Sequence, residues 1–122
     1  MEKFLLLIRE DLQIRDKLTP AEFKHNIQIM TRWVEDMARS GNFVNADPLT
    51  NSGSYVGQNY VLSDGPFIDA KESISGFILI RAESLEQATS FAQACPLVLN
   101  GTAAVEVRPI MDMEQKPWEK WI

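Results

Sequence analysis

The sequence predicts an α+β domain of the ferredoxin-like, split β-α-β class with a hairpin insertion. Two segments with helical apolar spacing each follow a helix-start signal, and each lies between apolar runs that predict strands. The order strand-helix-strand therefore occurs twice, which places two helices on one face of a sheet. The 122 residues fit one domain, 1–122, in which residues 112–122 form a C-terminal tail.

The strands are predicted from short apolar runs bounded by polar or turn-forming residues. The first run ends at charged residues, and its continuous apolar character is typical of a buried strand. The predicted strands are 1–9, 42–49, 58–62, 77–81 and 103–111. The polar segments 10–18 and 50–57 are predicted to be loops, and 63–66 a turn.

The first helix has the clearest boundaries. Thr19 can cap it, Pro20 suits the first helical position, and Glu22 can complete a capping box. It is expected to end near Ser40, because Gly41 can take the left-handed cap conformation. Its predicted buried stripe consists of Phe23, Ile27, Met30, Val34 and Met37, widened by Ile29 and Trp33.

The second helix is predicted over residues 82–95. Ser84 and Gln87 have the spacing of a capping box, and Pro96 follows the expected end. The apolar residues expected to face the core are Leu85, Ala88, Phe91 and Ala92. Cys95 at the helix end is expected to be a buried thiol, and a single cysteine excludes an intramolecular disulfide.

The composition narrows the classes of partner and location. Apolar residues make up 45% of the chain and charged residues 24%, which are ordinary values for a globular protein. The net charge is −5 and the basic residues form no run, so we expect no nucleic-acid partner. No stretch approaches the length of a membrane span, so we expect no membrane contact and a cytoplasmic protein.

An ordered series of short segments carries a family resemblance. They are Phe4-Leu5-Leu6-Leu7-Ile8, Ser63-Asp64-Gly65-Pro66-Phe67, Lys71-Glu72, Gly76-Phe77, Cys95-Pro96 and Val105-Glu106-Val107-Arg108-Pro109-Ile110. Together they resemble the YCII-related proteins of the DGPF group over roughly residues 3–111. The resemblance implies a dimeric α+β barrel, in which two subunits pack their sheets face to face, and hence a homodimer.

What the resemblance implies about activity is limited. Most members of the DGPF group have no established reaction, and some are fused to, or encoded near, sigma factors. In the wider family a histidine on the first helix and an aspartate form a proposed acid–base pair. One relative is a dehydrochlorinase that acts on a hydroxylated aromatic compound.

Asp64 is the first candidate catalytic residue. A carboxylate at a strand end, held by Gly65 and Pro66 and followed by Phe67, could act as a general base or orient a ligand. The alternative is an Asx turn, in which the carboxylate accepts a backbone N–H. Both roles can coexist in one residue. Gly65, Pro66 and Phe67, which follow Asp64 directly, are assigned with it to the ligand site.

His25, the only histidine, is the second candidate for acid–base catalysis. The spacing of the wider family places its helix-borne histidine near Met30 of this chain. We therefore expect His25 to lie at the surface and not to form a histidine–aspartate pair. If His25 is not catalytic, acid–base chemistry depends on carboxylates and on Lys71.

Three further residues are candidate ligand contacts. Lys71 could bind an anionic group, although a solvated pair with Glu72 is the alternative. Arg32 shares a helix face with His25, and Asp47 ends the second predicted strand. With one histidine and one cysteine, no zinc site is expected, and no phosphate-binding glycine loop or cofactor motif occurs, so we expect no cofactor.

Two functions from different classes remain open at this point. The first is a dimeric small-molecule-binding protein, with weak acid–base activity of the lyase or isomerase type centred on Asp64. The second is a non-catalytic interaction or regulatory module associated with sigma-factor signalling. An enzyme should bring Asp64, His25 or Lys71 to a common point, whereas an interaction module should expose an apolar patch.

Overall fold

The computed structural model describes residues 1–63 and 72–121. In chain order, the elements are β1 (Glu2–Asp11), α1 (Leu12–Asp16), α2 (Pro20–Arg39), β2 (Phe43–Pro48), β3 (Ser54–Val56), β4 (Val61–Ser63), β5 (Glu72–Ala82), α3 (Leu85–Gln93), α4 (Pro96–Leu99) and β6 (Ala103–Pro109). Two short 3-10 turns, Met113–Gln115 and Pro117–Trp121, follow the last strand.

The main sheet has the order β2-β5-β1-β6, and every neighbouring pair is antiparallel. Strand β5 lies between β1 and β2, and β1 lies between β5 and β6, so both β-α-β units are split. Strands β3 and β4 lie between the two units in the chain and form a separate antiparallel hairpin. The predicted α+β, ferredoxin-like fold with a hairpin insertion is therefore confirmed.

The core lies between one face of this sheet and the helices. Alternate residues of β1 point into it, because Phe4, Leu6 and Ile8 are buried while Leu5 and Leu7 between them are only partly so. The other buried residues of this core cluster are Trp33, Met37, Ile78, Ile80, Ala82, Ala88, Cys95 and Leu97.

The predicted ends of α2 are confirmed by its hydrogen bonds. The Thr19 hydroxyl accepts from the backbone N–H of Glu22 at 3.1 Å, and the Glu22 carboxylate accepts from the backbone N–H of Thr19 at 3.0 Å. Gly41 follows the helix with φ of 80°, in the left-handed region that suits glycine. Local signals alone therefore set where this helix begins and ends.

Two segments predicted to be loops contain regular structure. Residues 10–18 extend β1 to Asp11 and then form α1, because the Asp11 carboxylate accepts from the Gln13 N–H at 2.8 Å and caps the new helix. Residues 50–57 include β3, which pairs with β4. Cross-strand hydrogen bonds stabilise this polar segment, and its composition gives no signal of them.

The second predicted helix differs from the observed one. Strand β5 continues to Ala82, so α3 begins only at Leu85, and α4 begins separately at Pro96. Ser84 caps α3 by accepting from the Gln87 N–H, but the Gln87 side chain accepts from the Glu83 N–H. Only the Ser84 half of the predicted capping box is therefore formed, because the Gln87 side chain bonds to the N–H of Glu83 and not to that of Ser84.

Part of the predicted apolar helix faces is not buried. Phe23, Ile27 and Leu85 are 45%, 53% and 49% exposed, so the prediction that they are core residues is wrong. On α2 the buried residues are Trp33 and Met37, both in its C-terminal half. Helical periodicity aligned these side chains on one stripe, but only half of that stripe reaches the core.

Candidate ligand-binding site

Residues 23–34 of α2 and the sheet form a cavity of about 470 Å³ that is open to solvent, here called the α2 cavity. Ligand pockets in proteins commonly have volumes of this size and mostly apolar walls. The apolar residues that line it are Ile8, Leu18, Phe23, Ile27, Met30, Val34, Ala46, Pro48, Leu49, Phe77, Ile78 and Leu97. The exposed apolar residues of α2 are therefore the wall of a cavity.

The cavity follows from how α2 is attached to the domain. Trp33 and Met37 are 7% and 2% exposed, which fixes the C-terminal half of α2 in the core. Phe23 and Ile27, about two to four turns earlier, line open space instead of packing against the sheet. The same apolar stripe thus anchors the helix at one end and forms a binding surface at the other.

Glu10 and Arg15 supply charge within these apolar walls. Glu10 pairs with Ala103 and follows Ile8 by two residues, so it continues the inward-facing row of β1. Arg15 lies on α1, and its Nε is 3.7 Å from Oε2 of Glu10. The side chain of Arg15 is only 22% exposed and that of Glu10 only 18%.

A third polar residue orients Arg15. The Nη1 atom of Arg15 donates to Oδ1 of Asn51 at 2.9 Å, and this bond ties α1 to the segment before β3. Glu10, Arg15 and Asn51 were not among the predicted site residues, because all three fall in the segments 10–18 and 50–57, which were predicted to be polar loops. The alternation from Phe4 through Ile8 was the available signal, since it places Glu10 on the buried face.

Met30 separates the cavity from the buried thiol of Cys95. Met30 lines the cavity, and its Sδ is 3.6 Å from the Sγ of Cys95. Burial raises the pKa of the Cys95 thiol, the backbone hydrogen bonds of Val98 and Leu97 oppose that rise, and the charge of Glu10 adds to it. The predicted buried thiol is confirmed, and its environment favours the neutral, unreactive form.

His25 lies in a neighbouring depression, which shares Leu18 and Asn26 with the α2 cavity. It is exposed and lines a shallow depression of about 400 Å³ together with Glu22, Asn26, Asn100 and Thr102. It does not line the α2 cavity, whereas Met30, near the position where the wider family carries its histidine, does. The catalytic role of His25 stays a prediction.

Asp47 and Arg32 are not brought together with His25 at one point. Asp47 borders the α2 cavity, but it pairs with Phe77, which pairs with Leu7 on the sheet face away from the helices. Arg32 is exposed and lines neither of these two cavities. Their assignment to ligand binding also stays a prediction.

The remaining predicted site residues fall outside the part of the chain that the structure describes. They are Asp64, Gly65, Pro66, Phe67 and Lys71. Within residues 1–63 and 72–121, no group of three or more histidine, cysteine, aspartate or glutamate side chains is placed to hold a metal ion. Nor does any helix in those ranges have the length and apolar character needed to cross a membrane.

The family model of the YCII-related domain matches residues 24–114. This chain belongs to the YCII-related family. The match includes α2 from residue 24 onward, the hairpin, β5 and the last strand, whereas β1 and α1, which carry Glu10 and Arg15, lie before it.

A curated relative and a solved structure are among the proteins similar to this YCII-related chain. An uncharacterized protein of Rhizobium meliloti (strain 1021) is 40% identical over 50 residues, a match that spans 41% of this chain and 40% of that protein. The solved structure is 5-chloro-2-hydroxyhydroquinone dehydrochlorinase (TftG) from Burkholderia phenoliruptrix AC1100, in complex with 2,5-dihydroxybenzoquinone. It covers 93% of this chain and 97% of its own, with a TM-score of 0.54 and 19% identity, which establishes a shared fold.

Proposed function

We propose that this YCII-related protein binds a small organic molecule in the α2 cavity, and that it does so as a cytoplasmic homodimer. The observation that carries the proposal is the cavity itself. It has a volume of about 470 Å³ and mostly apolar walls, and a charged pair is among its lining residues. Apolar walls with a few placed polar groups are typical of sites for compact organic ligands. The similar dehydrochlorinase, whose structure holds a small quinone, supports this reading.

The homodimer is proposed from the outer face of the sheet. Cross-strand pairs place Leu5 beside Leu79 and Leu7 beside Phe77 on the face opposite the helices. Apolar side chains in adjacent strands form a surface that a second sheet can cover. This arrangement is the one that the family resemblance implies.

Acid–base activity of the lyase or isomerase type is proposed for Asp64. The carboxylate follows β4 in the chain, and the turn sequence that contains it is the most specific motif of the resemblance. The role requires Asp64 to reach a ligand bound in the α2 cavity.

A non-catalytic interaction module is the second candidate, and the hairpin favours it. Val56 and Val61, paired across β3 and β4, are 70% and 64% exposed. Exposed apolar side chains on a two-stranded hairpin, which has little stability of its own, suit a protein partner such as a sigma factor. This candidate predicts that replacing Val56 and Val61 by threonine abolishes partner capture while ligand binding is unchanged.

The test of small-molecule binding uses one blocking substitution and one matched control on the same helix. Ile27 lines the cavity and has room toward solvent, so Ile27→Trp should fill the cavity without displacing a buried core residue. Gln28, its neighbour, is exposed and does not line the cavity, so Gln28→Trp adds the same ring elsewhere.

The measurement is ligand-observed NMR with a set of ring-sized fragments. We expect wild type and Gln28→Trp to bind the same fragments and Ile27→Trp to lose them. Equal binding by Ile27→Trp and Gln28→Trp would place the ligand elsewhere, and no binding by wild type would contradict the proposal.

A further inference from the structure

Two arginines in the described ranges, Arg9 and Arg15, lie beside a carboxylate while partly buried. They differ in how their guanidinium groups are bonded. Arg9 donates through both Nε and Nη2 to Oε1 of Glu106, at 3.1 and 3.0 Å, so its guanidinium fork is occupied. The Nε of Arg15 is 3.7 Å from Glu10, longer than a charge-assisted hydrogen bond. Arg15 is therefore close enough to be attracted by Glu10 without being bonded to it in a bidentate pair.

Stability does not explain this placement. A partly buried ion pair commonly contributes little more than an apolar pair of similar size, because both charges lose hydration. The separation of 3.7 Å weakens the attraction between the two charges, so this attraction offsets even less of the lost hydration. A positive charge at the edge of an apolar cavity, held in place by Asn51 at 2.9 Å, is instead suited to receive a planar anionic group.

We propose that Arg15 selects the ligand of the α2 cavity, and that this ligand is a compact, ring-containing carboxylate. The inference rests on the proposed function, because it assigns the chemical class of the molecule bound at that same site. The ring would lie among the apolar residues, with Phe23 as an aromatic wall, and the carboxylate would accept from the free part of the Arg15 fork.

Glu10 sets how strongly this site attracts an anion. Its carboxylate lies beside the same guanidinium and faces the same cavity, so it repels an incoming carboxylate and competes for Arg15. Removing the charge of Glu10 should therefore strengthen anion binding, and removing the charge of Arg15 should weaken it. Damage to the fold would weaken binding in both variants, so opposite effects separate specificity from structural loss.

The experiment uses 1-naphthoate and 1-naphthamide, two probes of nearly the same shape that differ in charge. Their affinities for the full-length wild type, Arg15→Gln and Glu10→Gln are measured by titration followed in two-dimensional NMR spectra. The control is Arg39→Gln, which removes an exposed arginine that pairs with Asp36 near the far end of α2. This control makes the same change in net charge away from the cavity.

We expect wild type to bind 1-naphthoate at least about tenfold more tightly than 1-naphthamide, since a charged hydrogen bond commonly changes affinity by that factor or more. Arg15→Gln should abolish this preference with little change for 1-naphthamide, Glu10→Gln should increase it, and Arg39→Gln should leave it unchanged.

Three outcomes would overturn the assignment of Arg15. Equal affinity of wild type for both probes would leave small-molecule binding intact but remove the selectivity. An equal loss in Arg39→Gln would show that overall charge, and not Arg15, attracts the anion. If neither probe binds wild type, the cavity does not accept a ring of this size, and the proposed function is contradicted together with the inference.

Discussion

The thiol of Cys95 lies 3.6 Å from the thioether sulfur of Met30, and Met30 lines the α2 cavity. Cys95 is fully buried, at 0% exposure. One thioether therefore separates the cavity from the only thiol of the chain.

The first prediction concerns that reactivity. Burial raises the pKa of Cys95 above its ordinary value, so the neutral thiol is favoured in the folded protein. Its contribution to stability is fully present below the pKa of the unfolded chain and is lost as the pH rises through the higher folded pKa. At mildly alkaline pH we expect the native thiol to react with a disulfide reagent at least about a hundredfold more slowly than in guanidinium chloride.

The measurement is the rate of thiolate release from the reagent, with the unfolded protein as the control. Comparable rates in the native and unfolded states would mean that Cys95 is accessible and would contradict its place behind Met30. Filling the cavity by Ile27→Trp should not accelerate the reaction.

The second prediction is a pH dependence of α2. Hydrogen bonds from the backbone and side chain of Thr19 lower the pKa of Glu22. A lowered folded pKa means that Glu22 stabilises the protein above its unfolded pKa, and that this stabilisation is lost as the pH falls through the folded value. Urea unfolding at neutral pH and at about pH 3 should show a smaller pH dependence for Glu22→Gln than for wild type.

The control for that prediction is Glu35→Gln, which neutralises an exposed carboxylate in the C-terminal half of α2 and not at its first turn. We expect this variant to keep the difference between the two pH values. An unchanged pH dependence in Glu22→Gln would show that the capping box makes no charge-dependent contribution.

The third prediction is that the protein is a homodimer through the outer face of its sheet. Leu7 pairs with Phe77 on that face, so Leu7→Lys should place a charge in the interface and yield monomers. Light scattering at micromolar concentration measures the mass of each variant. Gln28→Lys, an exposed position on α2, should remain dimeric, and a monomeric wild type would contradict the prediction.

The fourth prediction concerns Asp64, which lies outside the described residues. Asp64→Asn should leave the protein folded and dimeric while weakening ligand binding, because asparagine retains an Asx turn but lacks the charge. Asp16→Asn, an exposed carboxylate at the end of α1, is the control. If Asp64→Asn binds the ligand of the cavity as wild type does, Asp64 acts only as a turn residue.

The fifth prediction concerns His25, which is exposed and lines the shallow depression outside the α2 cavity. His25→Gln should change the free energy of unfolding by no more than about 0.5 kcal/mol, as at most surface positions. Ligand binding should be unchanged as well. A large loss of binding or of turnover in this variant would restore His25 as a functional residue.

The sequence determined the parts of this protein that depend on local chemistry and on periodicity. The ends of α2 are set by Thr19, Pro20, Glu22 and Gly41, because helix caps involve residues only a few positions apart. The order of strands and helices was enough to predict the split β-α-β topology, since few connections are compatible with it. The family resemblance agreed with both.

Only the tertiary structure decided the candidate site. Periodicity placed Phe23 and Ile27 on the same stripe as Met37, but it carries no information on how far that stripe lies from the sheet at each turn. Glu10 and Arg15 became a pair because β1 runs further than its apolar residues indicate and α1 then turns the chain back beside it. A cavity and its charged residues are set by distances between elements, which depend on packing throughout the domain and not on local sequence.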